Sequence, residues 1–100
     1  MNEKNKRKDY LLRKRYDITL KEYRKILQSQ KYKCAICGKK QKDEKKAFAV
    51  DHNHLTGWIR GLLCCYCNSR LMKYLRDSKQ RTIGLIKYLQ TAIKEDKEWQ

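Results

Sequence analysis

Apolar residues in the first third of the chain recur with the period of a helix. Leu20, Tyr23, Ile26 and Leu27 fall on one face. Just before them Thr19 and Glu22 stand three apart as a capping box, with Ile18 and Tyr23 at the positions of a hydrophobic staple. The pattern predicts an amphipathic helix that fades near Gln30 and whose stripe is core. Upstream, Tyr10, Leu11 and Leu12 predict a short helix inside a basic segment, while the first eight residues have almost nothing to bury and are expected to stay mobile. Farther on the period changes. AFAVD, residues 47–51, alternates around Phe48 and Val50 and reads as a strand. Leu55-Thr56-Gly57 supplies a reversal, with Gly57 available for a positive φ, and Trp58-Ile59-Arg60 returns as a second strand with Trp58 expected in the core rather than stacked on a base. A helix is then predicted from about Cys65–Asn68 to Arg76, with Leu71, Met72 and Leu75 inward. A last one, about 79–98, is capped by Asp77 or Ser78, and its stripe of Ile83, Ile86, Leu89, Ala92 and Ile93 either closes the core or forms a seam with a second copy. Lys39–Lys46 reads as an exposed loop. The fold class expected is α+β: a hairpin followed by a helix, with flanking N- and C-terminal helices. Residues 1–15 form a basic arm, partly flexible, and residues 16–100 a single domain with its core at 34–76.

The cysteines change this picture from a marginal core to a stapled one. Cys34-x2-Cys37 and Cys64-x2-Cys67 lie 26 residues apart. Each Cys-x-x-Cys turn brings two sulfurs to one side of a bend, and two turns complete a tetrahedral Zn2+ shell with no open position, hence a structural site. At 100 residues a single core is marginal and a metal is a common remedy, so poor folding without zinc is expected. Cys65 is the odd one. Pairing it with Cys67 would make a poorer C-x-C, so it is read as a packing residue or a free thiol.

Charge adds a partner. The net charge is +15, with 12 basic and 4 acidic residues in positions 1–33 alone. A field of that sign favours polyanions, nucleic acid above all, and binding that weakens with salt. No run of about eighteen apolar residues offers a membrane span, and there is no apolar signal segment. With five cysteines this predicts a cytoplasmic protein with metal-bound thiolates rather than disulfides.

Between the cysteine pairs and just after them lies candidate chemistry. Asp51 and His52 are an acid beside a base, His54 follows, and Asn68 comes directly after the last cysteine. A hard cation such as Mg2+ or Mn2+ takes oxygen ligands and keeps waters, a role that Asp51 and the amide oxygen of Asn68 fit. His52, with an ordinary pKa of about 6.5, can take a proton from water. Arg60 is placed either to clamp a phosphate or to form a structural salt bridge. Arg70, Lys73 and Arg76 share a helix side, a candidate DNA surface, and the helix start near Asn68 would add partial positive charge.

Taken together, CAICG, VDHNH, TG, IRGLLC and CN resemble the recombination endonuclease VII family of phage-type nucleases, members of the HNH or ββα-metal (His-Me finger) nucleases, over roughly Tyr16 to Asn68. The resemblance implies a zinc-stapled ββα-metal fold, with zinc on Cys34, Cys37, Cys64 and Cys67. It implies a catalytic metal on Asp51 and Asn68, His52 as general base, His54 steadying the scissile phosphate, a 5′-phosphate product and a phage or bacterial setting. Where the family usually has DHDH, this chain has Asn53. Longer members continue into a helical region tied to intertwined dimers and four-way junctions, an activity not carried over here. The function expected is a metal-dependent DNA endonuclease. A zinc-ribbon DNA-binding module would need the cysteines and charge but have no use for Asp51, His52 and Asn68 together. An inactive nuclease relative serving as a partner protein would usually have lost one of the three.

Overall fold

The computed structural model describes residues 2–95, with side-chain surroundings given through residue 91. Its elements are α1 (Glu3–Tyr16), α2 (Leu20–Ser29), a 3-10 turn (Gln41–Asp43), strands β1 (Ala49–His52) and β2 (Ile59–Leu63), a π-helical turn (Cys67–Leu71) running into the short α3 (Met72–Leu75), and α4 (Lys79–Glu95). The architecture is a small α+β arrangement of one two-stranded sheet and four helices.

Helix α2 follows from its capping box: Glu22 N–H donates to Thr19 Oγ1 and Thr19 N–H to Glu22 Oε1, both at 3.0 Å. Leu20 and Tyr23 are buried, Ile26 and Leu27 partly so. The Tyr23 hydroxyl donates to Phe48 O at 2.6 Å, and burial pushes its pKa up to about 12. Helix α1 differs from expectation, beginning at Glu3 instead of forming only around Tyr10–Leu12. It buries no residue completely, so periodicity gave little sign of it; its support is polar. Asn2 Oδ1 accepts from Asn5 N–H at 2.8 Å. Asp9 bridges the helices, accepting from Arg13 Nε at 2.6 Å and from the otherwise free Leu20 N–H of α2 at 2.8 Å.

The strands pair antiparallel, Ala49 with Leu63 and Val50 with Leu62, then Asp51 with Gly61 and His52 with Ile59. The skipped residue is Arg60, a bulge at the edge of the future site. Among the described residues no third strand covers β2. Instead the Gln30 amide donates to Leu62 O at 3.0 Å and accepts from Leu62 N–H at 2.8 Å, standing where a neighbouring strand's backbone would. A Cβ on Gly61 would lie 3.1 Å from Gln30 Oε1, so any larger residue there would have to push the Gln30 amide aside by a few tenths of an ångström.

The core gathers Ile18, Leu20, Tyr23, Phe48, Val50, Leu62 and Leu63 around Cys34, Cys64 and Cys67. Two expectations change. Trp58 lies outside the core, 77% exposed, because it precedes β2 in the turn rather than pairing within the strand. The stripe of α4 does not close the core either: Ile83, Ile86 and Leu89 are half exposed. After α3 the left-handed pair Arg76 and Asp77 (φ 51° and 57°) redirects the chain before α4 begins. Ser78 caps α4, its Oγ accepting from Arg81 N–H at 3.1 Å. The expected helix end at Glu98 and the side chains of Ala92 and Ile93 lie outside the described residues. Among the described residues no helix is long and apolar enough to cross a membrane.

Replacing Gln30 by Ala leaves the Leu62 N–H on the sheet edge without its partner, while Leu62 O keeps the Ala35 N–H at 3.2 Å. Stability of the zinc-loaded protein should fall by about 1–3 kcal/mol, read from chemical denaturation, with the zinc content unchanged.

Candidate active site

The cysteine pairs come together as the spacing requires. Cys34 and Cys37 lie in a loop closed by Gly38, whose N–H donates to Cys34 O at 3.1 Å with φ 76°. Cys64 follows β2 directly, and Cys67 opens the π-helical turn. All four sulfurs lie within 4.8 Å of one another, and Cys37 Sγ is 3.7 Å from Cys64 Sγ. Four thiolates about 2.3 Å from a tetrahedral ion stand about 3.8 Å apart, so the donor set is compatible with zinc. Cys65 is exposed, a free thiol rather than a packing residue.

The sulfurs are electrostatically unequal. Burial opposes ionisation of Cys34, but N–H donors from Cys64, Cys37 and Ile36 outweigh it and bring the pKa down to about 6. Burial pushes the thiols of Cys64 and Cys67 up, and neighbouring sulfurs push them further. Without a cation the cluster favours one thiolate; an ion would supply the charge that stabilises the rest.

Separate from the cysteines, none of which lines it, lies a cleft of about 500 Å3. Asp51, His52 and His54 reach it from the hairpin, Asn68 from the π-helical turn, and Tyr16 from the end of α1. The imidazoles of His52 and His54 are 4.7 Å apart centre to centre, and the Tyr16 ring lies 5.5 Å from that of His52. The bulge lets Arg60 grip both oxygens of Asp51, through Nε at 2.8 Å and Nη2 at 3.1 Å, while Nη1 holds Asp77 at 3.0 Å. Of the two roles open to Arg60, the structure has the ion pair: the fork a phosphate would take is filled by carboxylate. Those bonds raise the Arg60 pKa still further, Asp51 contributing most.

Asn68 sits beside Cys67 in the chain yet faces the cleft while Cys67 is buried among the sulfurs. Its N–H is not a free first-turn donor, since it donates to Cys64 O at 3.0 Å. The anion-favouring helix start expected at Asn68 is therefore already engaged.

Beside the cleft, and sharing Lys73 and Arg76 with it, runs a second depression lined by Ser69, Arg70, Lys73, Tyr74, Arg76 and Arg81. Four cations and no carboxylate face it. Arg81 stacks over Tyr74 at 5.7 Å and Arg70 over Tyr66 at 5.5 Å. Tyr16, Asp77 and Arg81 escaped sequence reasoning because each acts across turns or elements that no local pattern links. Asp77 had a visible signal, an acid beside a helix start, but it pairs with Arg60 and leaves the cap to Ser78.

Residues 9–91 match the family model described as recombination endonuclease VII. The chain is 39% identical over 74 residues to the Gene 59 protein of Mycobacterium phage D29, and 40% identical over 74 residues to the Gene 59 protein of Mycobacterium phage L5. Each match covers 74% of this chain and 44% of the relative, so the chain spans less than half the length of these relatives. No solved structure matches it.

Loading zinc should release protons, because the Cys64 and Cys67 thiols sit above their ordinary pKa before the ion binds. Zinc affinity should rise with pH through the neutral range, measurable by chelator competition. Stripping the metal should abolish cooperative thermal unfolding.

Proposed function

The chain belongs to the recombination endonuclease VII family, and from that premise we propose that it is a metal-dependent DNA endonuclease of the HNH, ββα-metal type that hydrolyses phosphodiester bonds. The observation that carries this reading is a single cleft shared by Asp51, His52, His54 and Asn68, drawn from a hairpin and a helical turn. A base, two oxygen donors and a second imidazole in one basic-rimmed cleft are what phosphodiester hydrolysis needs.

His52 takes a proton from a water molecule. The water oxygen attacks phosphorus, the bond to the 3′ oxygen breaks, and a 5′-phosphate and a 3′-hydroxyl result. The rings of Tyr16 and His54 both pack near the His52 ring. His54 steadies the phosphate that is cut. Asp51 and Asn68 would hold Mg2+ or Mn2+, which when bound supplies charge to offset the negative charge developing at phosphorus and on the departing oxygen. They fit that task. Arg60 fixes the plane of the Asp51 carboxylate while each oxygen keeps a lone pair. Among the described residues the Asn68 amide has no hydrogen-bond partner in the protein. Zinc on the four cysteines has no chemical part; it fixes the helical turn against the hairpin.

The groove of Arg70, Lys73, Arg76 and Arg81 suits the phosphates that continue from the cut. The half-exposed stripe of α4 suits a seam with a second copy, which would present two clefts to one duplex. The similarity to phage proteins supports action inside an infected bacterial cell.

Zinc-loaded protein with Mg2+ or Mn2+ should nick or linearise supercoiled plasmid, and His52→Ala should be about 10²- to 10⁴-fold slower while binding the same DNA. Equal cutting by both would remove His52 from its role; binding without cutting by either would favour a DNA-binding module. Ile86→Lys should shift sedimentation from dimer to monomer, and a parent that sediments as a monomer at high concentration would exclude the seam.

A further inference from the structure

A second concentration of positive charge lies apart from the cleft and its groove. Lys21, Arg24 and Lys25 stand at i, i+3 and i+4 on α2 and line a depression that Tyr32 also borders. Tyr32 borders a further depression too, lined by Lys31, Lys33, Lys40 and Lys42. All seven cations are exposed. Neither depression shares a residue with the cleft or with the groove of Arg70, Lys73, Arg76 and Arg81. No carboxylate lines either one, and among the described residues none of the seven cations is in a salt bridge. Two acids near them in sequence are engaged elsewhere: Glu22 accepts from Thr19 N–H in the capping box, and Glu44 pairs with Lys39 at 3.3 Å.

The backbone beneath these cations is fixed. Just past the end of α2, Lys31 and Tyr32 both take left-handed φ, 56° and 61°, a conformation that L side chains rarely adopt. Hydrogen bonds hold them there. Lys31 N–H donates to Gln28 O and Tyr32 N–H to Leu27 O, both at 2.9 Å, while Tyr32 O accepts from Gln41 N–H at 2.8 Å. Lys33 and Lys40 face each other as an antiparallel bridge. The Tyr32 side chain, 55% exposed, therefore stands among lysines on a frame that need not be ordered when a ligand arrives. Single-sign charge on a fixed frame suits a partner whose negative charge repeats along its length. Besides Tyr32 only Leu20 and Leu27 bring apolar surface, and Leu20 is buried and Leu27 partly so, which leaves no apolar face to enter a lipid bilayer.

We propose that the surface around Tyr32 is a second docking site for the sugar–phosphate backbone of DNA, distinct from the cleft, which holds the polymer without reading its bases. The choice of DNA as the polyanion rests on the nuclease reading; the surface itself stands on charge and geometry. Each lysine that neutralises a phosphate releases a counterion, so this surface contributes affinity and salt dependence at a distance from the cutting centre.

The test uses full-length, zinc-loaded protein carrying His52→Ala, so that DNA is bound but not cut, and reads its binding to a labelled, fully paired duplex by fluorescence anisotropy over a range of salt. Lys33→Gln, Lys40→Gln and Lys42→Gln together should weaken binding by about ten-fold or more at low salt. They should also make the slope of log Kd against log salt shallower by about 2 to 3, since each phosphate contact contributes about 0.9. Lys21→Gln, Arg24→Gln and Lys25→Gln form an independent triple on α2 with the same expected result, so the outcome does not hang on the folding of one variant. Lys45→Gln, Lys46→Gln and Lys87→Gln remove equal charge at exposed positions outside both depressions and should change the slope by less than about 1. A slope unchanged by the first two triples, or lowered equally by the third, overturns the docking site. DNA binding that stays constant while binding of polyglutamate falls with the first two triples overturns it as well and assigns the surface to an acidic protein. Plasmid cutting by the His52 parent is scored separately. Cutting by the parent with unchanged slopes in the variants removes the docking site alone, whereas the expected slopes without cutting by the parent keep the docking site and remove the nuclease.

Discussion

The rest of this small protein is arranged around four sulfurs that lie within 4.8 Å of one another. Three of the ten residues that make up the core are cysteines. Without an ion they form a strained set of thiols: burial drives two of them away from ionisation while backbone donors pull Cys34 the other way. The buried cluster is small, and in a chain of 100 residues a single core of that size is marginal. A tetrahedral ion held there would supply a few directed bonds, and would join the loop at Cys34, the end of β2 and the helical turn at Cys67.

Around that point the structure economises on regular pairing. The sheet has only two strands, and the side chain of Gln30 completes its outer edge. The α1–α2 corner is fastened by the carboxylate of Asp9, whose pKa is held below its ordinary value chiefly by the Leu20 N–H and then by Arg13. Polar side chains that take over the bonding of missing backbone are a recurrent answer to small size, and they place the burden on single residues rather than on repeated contacts.

How much of this was legible depended on range. The capping box of Thr19 and Glu22, the turn at Gly57 and the two Cys-x-x-Cys bends each act within a few residues, and each left a pattern that could be read. The candidate site was legible as a set, since Asp51, His52 and His54 lie within four positions of one hairpin and Asn68 adjoins Cys67. What could not be read was where a surface points once the chain has bent. Trp58 looked like core because an aromatic beside a strand usually is, yet the turn turns it outward. The stripe of α4 revealed an apolar face without revealing that the left-handed pair at Arg76 and Asp77 would carry it off the core. Arg60 was readable as a charge but its partners were not, because the bulge that brings it to Asp51 is a matter of register.

The π-helical turn at Cys67–Leu71 joins the two centres more closely than their separate tasks suggest. Cys67 faces the sulfurs and Asn68, the next residue, faces the cleft. One peptide unit is the whole lever arm between them. A lengthened bond at one end tilts the donor at the other, so oxidation of a single buried thiolate would misdirect an amide in the cleft without touching any residue that lines it. On the proposed nuclease reading, scaffold and chemistry would not be retuned independently, and drift in the ion shell would reach the site as an error of aim.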